Sequence, residues 1–240
     1  MTRQNTENLL LVGFPSNGLV GTFTTSYLIR HLKLEQVGEI DLEGIPPTLF
    51  VEKGEILSPI RIYHKNNLYA IISDLPMDPY TANDFSSSIL DFSRKEKIKK
   101  LIFVSGMETV SKDSKKKKIY GLVTHKLLEE KLAKNNIQKF IAGSIFGTDA
   151  AILSTFRKSD IPALVLYTEC HPFFPDPEAA VLAASSLAKI LNVDLDTSEI
   201  RQRMERLRIQ YRALMDETMK TLQQQKSQPK TQGAQAHIYR

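Results

Sequence analysis

The 240-residue chain is 42% hydrophobic with a mean hydropathy of −0.23, enough for one sizeable core and a length that suits one globular domain better than two. Its formal charge of +5 is concentrated at one end: residues 201–240 hold nine Lys and Arg against three Asp and Glu, leaving 23 basic and 24 acidic residues in 1–200, so no nucleic-acid partner is expected. A single cysteine, Cys170, excludes an internal disulfide and a multi-thiolate metal site, and the lack of a signal-like start or a long apolar run points to a cytoplasmic chain with no membrane partner.

Short β-branched runs alternate with amphipathic segments, the pattern of an α/β fold whose mixed, mostly parallel sheet is flanked by helices. The first strand is expected over 8–14. A helix over 16–33 follows, with Ser16 or Asn17 as its N-cap. Strands are expected at 36–42, 47–53, 60–64 and 68–75, close enough together that some must pair antiparallel. Then come a helix over 82–97, a strand over 100–106, a helix over 120–135, a strand over 139–144, a short helix over 148–158 and a strand over 162–169. A helix over 176–193 closes the domain, with Pro177 in its first turn and Asp176 as cap.

These elements divide the chain into a domain over 1–197, an amphipathic C-terminal helix over 198–225 and a flexible tail over 226–240. In the helix, Ile200, Met204, Leu207, Tyr211 and Leu214 fall on one stripe before the pattern slips to Met215, Met219 and Leu222. Such a stripe serves equally a helix packed on its own domain and an oligomer contact. The tail, with three Gln, two Lys, one Pro and one Gly and no apolar periodicity, has the composition of a disordered segment.

Few residues carry a recognisable chemistry. Gly13, Gly18 and Gly21 lie between the first strand and first helix, where a phosphate loop would sit. The spacing fits neither a P-loop nor a dinucleotide fingerprint, so the glycines read as a tight turn and a close helix-to-sheet approach. Cys170 and His171 are adjacent on extended chain and so point to opposite faces, which prevents a local thiolate–imidazole pair. Glu169 and His171 share a face, with Asp149 or Asp176 near at the strand ends where open α/β sheets bind ligands, a faint acid/base or metal signal. His31, His64, His125 and His237 have no ligand spacing, and no metal or cofactor is expected. Lys115 to Lys118 read as a solvated loop that would steer the protein, at most, toward an acidic partner.

The end of the chain is different. After a leader that cannot fold come Ile238, Tyr239 and Arg240. Seventeen residues from Gln224 to Arg240 make a tether spanning roughly 20–25 Å, enough to offer an aliphatic side chain, a stiff aromatic ring and a carboxylate to a pocket on another protein.

Four blocks, 9–32 (LLLVGFPSNGLVGTFTTSYLIRHL), 43–54 (EGIPPTLFVEKG), 119–125 (IYGLVTH) and 168–180 (TECHPFFPDPEAA), resemble the proteasome assembly chaperone 2 family, especially its archaeal members. The resemblance runs from about Leu9 to Val193. It implies a three-layer α/β fold related to that of nucleoside phosphorylases, self-assembly into homo-oligomers and no established catalytic residues. It also implies a role for Ile238, Tyr239 and Arg240, which match the hydrophobic-tyrosine-any-residue (HbYX) motif of proteasome activators. Such tails insert between α-ring subunits of the proteasome core particle, where a pocket lysine meets the carboxylate. The expected function is accordingly a non-catalytic assembly chaperone or activator. Two alternatives stay open: an enzyme or ligand-binding protein with a phosphorylase-like pocket near Ser16, Asn17, Glu169 and His171, and an oligomeric scaffold for another partner.

Overall fold

The computed structural model describes residues 7–52, 54–108 and 117–210. Strand β1 (Leu9–Gly13) is buried throughout, with Leu9 and Leu11 in one core and Leu10 and Val12 in the other. That two-sided burial is why its sequence is continuously apolar instead of alternating. After a short 3-10 turn at Asn17–Leu19 comes helix α1 (Val20–His31), then the strands β2 (Glu35–Glu39), β3 (Phe50–Glu52), β4 (Glu55–Leu57), β5 (Ile60–Lys65) and β6 (Leu68–Ser73). Helix α2 (Pro79–Lys95) is capped by Asp78, whose side chain accepts from the Tyr80 and Thr81 amides. The chain continues through β7 (Lys100–Glu108), β8 (Ile119–Val123), α3 (Glu129–Lys134), β9 (Gln138–Lys139), α4 (Gly147–Arg157), β10 (Ala163–Cys170) and α5 (Pro177–Leu191). A further helix, α6, occupies 198–210.

The main sheet has the order β2-β5-β6-β1-β7-β10-β8-β9, with β3 and β4 paired as a separate hairpin. β1, β6, β7 and β10 run parallel, β5 opposes β6 and β2, and β8 opposes β10. The sheet is therefore mixed and mostly parallel, as the sequence predicts. Helices α1, α3 and α5 cover the face bearing Leu11, Val104, Leu164 and Leu166, and α2 and α4 cover the face bearing Val12, Phe103, Val165 and Tyr167.

Three segments depart from the sequence reading. The helix expected over 120–135 is a strand for its first part, because Ile119–Val123 supply the antiparallel partner that β10 needs along Leu164–Thr168. Without it β10 would present unpaired amides and carbonyls. Gly121 in that strand lets Leu132 of α3 lie against the backbone. The strand expected over 139–144 is reduced to Gln138–Lys139 at the sheet edge, and Ile141 is left exposed. The segment 47–53 yields only Phe50–Glu52, paired with β4 and not with the main sheet, so Leu49, Val51 and Ile56 stay exposed.

Helix α6 packs on its own domain through its first turns. Ile200 and Met204 are fully buried against Tyr27, Ala180 and Ala184 of α1 and α5. The connection before it is tied down by the Tyr27 hydroxyl, which donates to the Asp196 carbonyl, and by His31 Nε2, 2.9 Å from the Asp194 carbonyl. The rest of the heptad stripe from Tyr211, the tail and Ile238, Tyr239 and Arg240 lie outside the described residues.

Candidate functional site

Open α/β sheets bind ligands in the crevice at the carboxyl ends of their parallel strands. Here that position, between β1, β7 and β10, is occupied by the chain itself. The turn at Asn17–Leu19 drops over the end of β7, and the Asn17 carbonyl lies against the α-carbon of Gly106. Gly18 has φ 63°, a left-handed conformation that side chains other than glycine resist, and a β-carbon there would meet Cys170 at 3.0 Å and Asp176 at 3.2 Å. Its carbonyl accepts from the Asp176 amide at 3.1 Å, which ties the turn to the start of α5. The glycine-rich stretch therefore works as a tight turn and a close approach, the reading its spacing supports.

Ser16 is the N-cap residue of the 3-10 turn at Asn17–Leu19, whereas the N-cap position of α1 itself falls on Leu19. The Ser16 hydroxyl accepts from the Gly21 amide at 3.2 Å and the Gly106 amide at 3.3 Å, pinning the turn to both helix and strand. Asp176 is the hub of the cluster. Its carboxylate caps α5 through the Ala179 amide at 3.1 Å, accepts from the His171 amide at 2.9 Å and receives the Lys117 ammonium at 2.6 Å. Lys117 belongs to the run expected to be a solvated loop. The structure corrects that expectation for this residue, whose side chain is only 13% exposed. Nothing in a run of four lysines marks which one turns inward.

The four residues of the candidate pocket are divided between the two faces of the sheet. Ser16 and Asn17 sit on the α1/α5 side. Glu169 is on the other, its carboxylate accepting from the Lys118 amide at 3.0 Å and facing the Tyr120 hydroxyl at 3.4 Å. The His171 ring accepts from the Phe173 amide and packs against Phe173 and Phe174. Cys170 faces away from both neighbours into the α1/α5 core; burial pushes its thiol up to about 12, and the Asp176 carboxylate adds to the effect. A thiol of that kind is a poor nucleophile.

Asp149, in the first turn of α4, lies on the α2/α4 face beside the hydroxyls of Ser105 and Tyr167. Burial raises its carboxyl to about 6, against the opposing effect of those two hydroxyls. The Tyr167 hydroxyl is raised as well, by burial first and by Asp149 second. The sequence reading set this half-buried acid near Glu169 and His171; its neighbours Ser105 and Tyr167 are brought to it only by the folded sheet. Among the described residues no three His, Cys, Asp or Glu side chains converge to hold a metal ion, and no helix is long and apolar enough to cross a membrane.

The PAC2 family model matches residues 10–215. An uncharacterized protein of Methanocaldococcus jannaschii is 24% identical over 217 residues, covering 90% of this chain and 89% of its own. Among solved structures, Pyrococcus furiosus PbaA, described as an archaeal homolog of proteasome-assembly chaperone, is similar at a TM-score of 0.80 and 24% identity, over 92% of this chain and 97% of that one. Pyrococcus furiosus PbaB, described as an archaeal proteasome activator, is similar at a TM-score of 0.75 and 19% identity, over 89% of this chain and 96% of that one. The fold described above is the fold of these two proteins.

Proposed function

The chain belongs to the PAC2 family, and from that premise we propose that it is a non-catalytic, homo-oligomeric proteasome assembly chaperone or activator. In this reading the folded domain is a scaffold, and residues Ile238, Tyr239 and Arg240 dock between α-ring subunits of the proteasome core particle. The observation that carries it is the family match over 10–215 in a chain that also holds Ile-Tyr-Arg at 238–240. Two further facts support it. Structural neighbours include a proteasome-assembly chaperone homolog and a proteasome activator. The crevice where an enzyme of this sheet type would hold substrate is filled by the turn at Asn17–Leu19 and by the Lys117–Asp176 pair.

One three-residue anchor binds weakly. Several anchors on one oligomer raise the effective concentration of each successive tail, a gain of about two to four orders of magnitude. The reading is tested by native mass measurement of the protein with and without core particle, alongside hydrolysis of a small peptide by the core particle. Tyr239→Ala, or removal of 238–240, is expected to abolish co-migration with the core particle and leave the oligomer intact. Equal binding by the altered protein removes the tail from the mechanism, and a monomer by native mass removes the multivalent scaffold.

A further inference from the structure

The opposite end of the sheet carries a feature that the scaffold reading does not use. At the amino-terminal ends of β1, β6 and β7 lies a cavity of about 360 Å³, walled by apolar side chains including Leu9, Leu34 and Ile190 and by the lysines Lys65, Lys100 and Lys131. Lys100, the first residue of β7, is buried with its side chain 8% exposed. The Lys131 ammonium sits beside that of Lys100, and its proton affinity is lowered to about 8, by burial first and by Lys100 second.

Like charges placed together against apolar walls are costly unless something compensates them. The carboxylate facing the pair is Glu7, 3.7 Å from the Lys100 ammonium and 57% exposed. Lys134 adds a further positive charge near Lys131, and the ammonium of Lys65 donates to the Leu32 carbonyl at 2.9 Å. Residues 1–6 contain no Asp or Glu. Three lysines, Lys65, Lys100 and Lys131, therefore line an apolar cavity that Glu7 alone faces among the carboxylates of the described residues, so positive charge is in excess there.

We infer that this cavity binds an organic carboxylate, its head between Lys100 and Lys131 and its apolar body against Leu9, Leu34 and Ile190. The volume is at the small end of ligand sites, which run from about 300 to 1,000 Å³. It suits a medium-length aliphatic acid or the carboxyl end of a peptide with bulky side chains. The pair of cations supplies the charge-assisted hydrogen bonds that hold the head group.

The test uses the full chain and two probes by titration calorimetry: octanoate, and the peptide Ala-His-Ile-Tyr-Arg with either a free or an amidated carboxyl end. Saturable binding of octanoate or of the free-carboxyl peptide at pH 6.5 is expected. It should weaken at least tenfold in Lys100→Met and in Lys131→Met and be largely kept in Lys131→Arg. Octanoate without peptide assigns the site to free acids, and free-carboxyl peptide without its amide assigns it to a chain end. Because Lys131 loses its proton near pH 8, the affinity of the unaltered protein should fall as pH rises from 6.5 to 9.5, a readout that needs no variant. No saturable binding of either probe, affinity unchanged across that pH range, or undiminished binding by a folded Lys100→Met/Lys131→Met protein overturns the assignment.

Discussion

The ammonium of Lys117 lies 2.6 Å from the carboxylate of Asp176, and both side chains are largely withdrawn from water. Asp176 also holds the Ala179 and His171 amides, so one carboxylate joins the start of α5, the end of β10 and the segment entering β8. Breaking a buried pair by removing one partner costs more than the pair contributes, because the remaining charge is left uncompensated. Lys117→Met is expected to lower stability by about 3 kcal/mol at pH 7 in urea unfolding. Replacing Asp176 with Asn in the same protein should restore part of that loss, since the amide oxygen still caps α5. A loss below about 1 kcal/mol would show that solvent reaches the pair and the link is weak.

Cys170 is packed behind that link. Its thiol is fully buried, and a β-carbon added at Gly106 would meet the sulfur at 2.7 Å and strike the Asn17 carbonyl as well. With burial pushing the thiol up to about 12, almost no thiolate exists at pH 8. Alkylation by iodoacetamide at that pH, followed by mass spectrometry, should be at least about a thousandfold slower in the native protein than in urea, the ratio of the two thiolate fractions. Gly106→Ala, which must displace the turn at Asn17–Leu19, should speed it and destabilise the fold.

What the sequence discloses depends on how local each signal is. β1, β7, β10 and α5 were readable because their apolar runs and the Asp176-Pro177 cap are properties of neighbouring residues. β8 was not, since Tyr120-Gly121-Leu122-Val123 continues smoothly into the helical pattern of Leu127, Leu128 and Leu132, and only the need of β10 for a partner decides between them. The candidate pocket failed to assemble for a similar reason. Alternation along β10 places Glu169 opposite Cys170, but which face Ser16 occupies is set by the turn at Gly18, whose geometry residue spacing does not encode. Lys117, Asp149, Lys100 and Lys131 acquire their character from partners 18 to 59 residues away in some cases and across the sheet in others.

Ile200 and Met204 decide between the two readings of the amphipathic stripe, at least for its first turns. Both are buried against α1 and α5 of the same chain, so these turns belong to the domain and any oligomer contact of the helix lies beyond them or on another face. Met204→Ala removes a fully buried side chain and should cost about 2–5 kcal/mol if the helix stays docked in the unfolding unit. Limited proteolysis should then show a new cut at 193–197, the connection that Tyr27 and His31 hold down, that the unaltered chain does not show. If Met204→Ala leaves stability unchanged, the helix is not part of the cooperative core.

Asp149 gives the fold a pH dependence of unusual sign. Its carboxyl is raised from 3.8 to about 6, so between roughly pH 4 and pH 6 the folded chain binds a proton that the unfolded chain has already released. Stability contributed by this group is therefore present at low pH and lost as pH rises through about 6, opposite to a salt-bridged carboxylate. Two units correspond to about 3 kcal/mol, and partial solvent access at the first turn of α4 reduces this to about 1–2 kcal/mol. Asp149→Asn should flatten that component of the stability profile and leave the protein more stable than the unaltered chain above pH 7. Urea unfolding at pH 5 and pH 8 checks it: the gain of Asp149→Asn must be larger at pH 8 than at pH 5, and a gain of the reverse order would mean that Ser105 and Tyr167 stabilise the carboxylate more than burial opposes it.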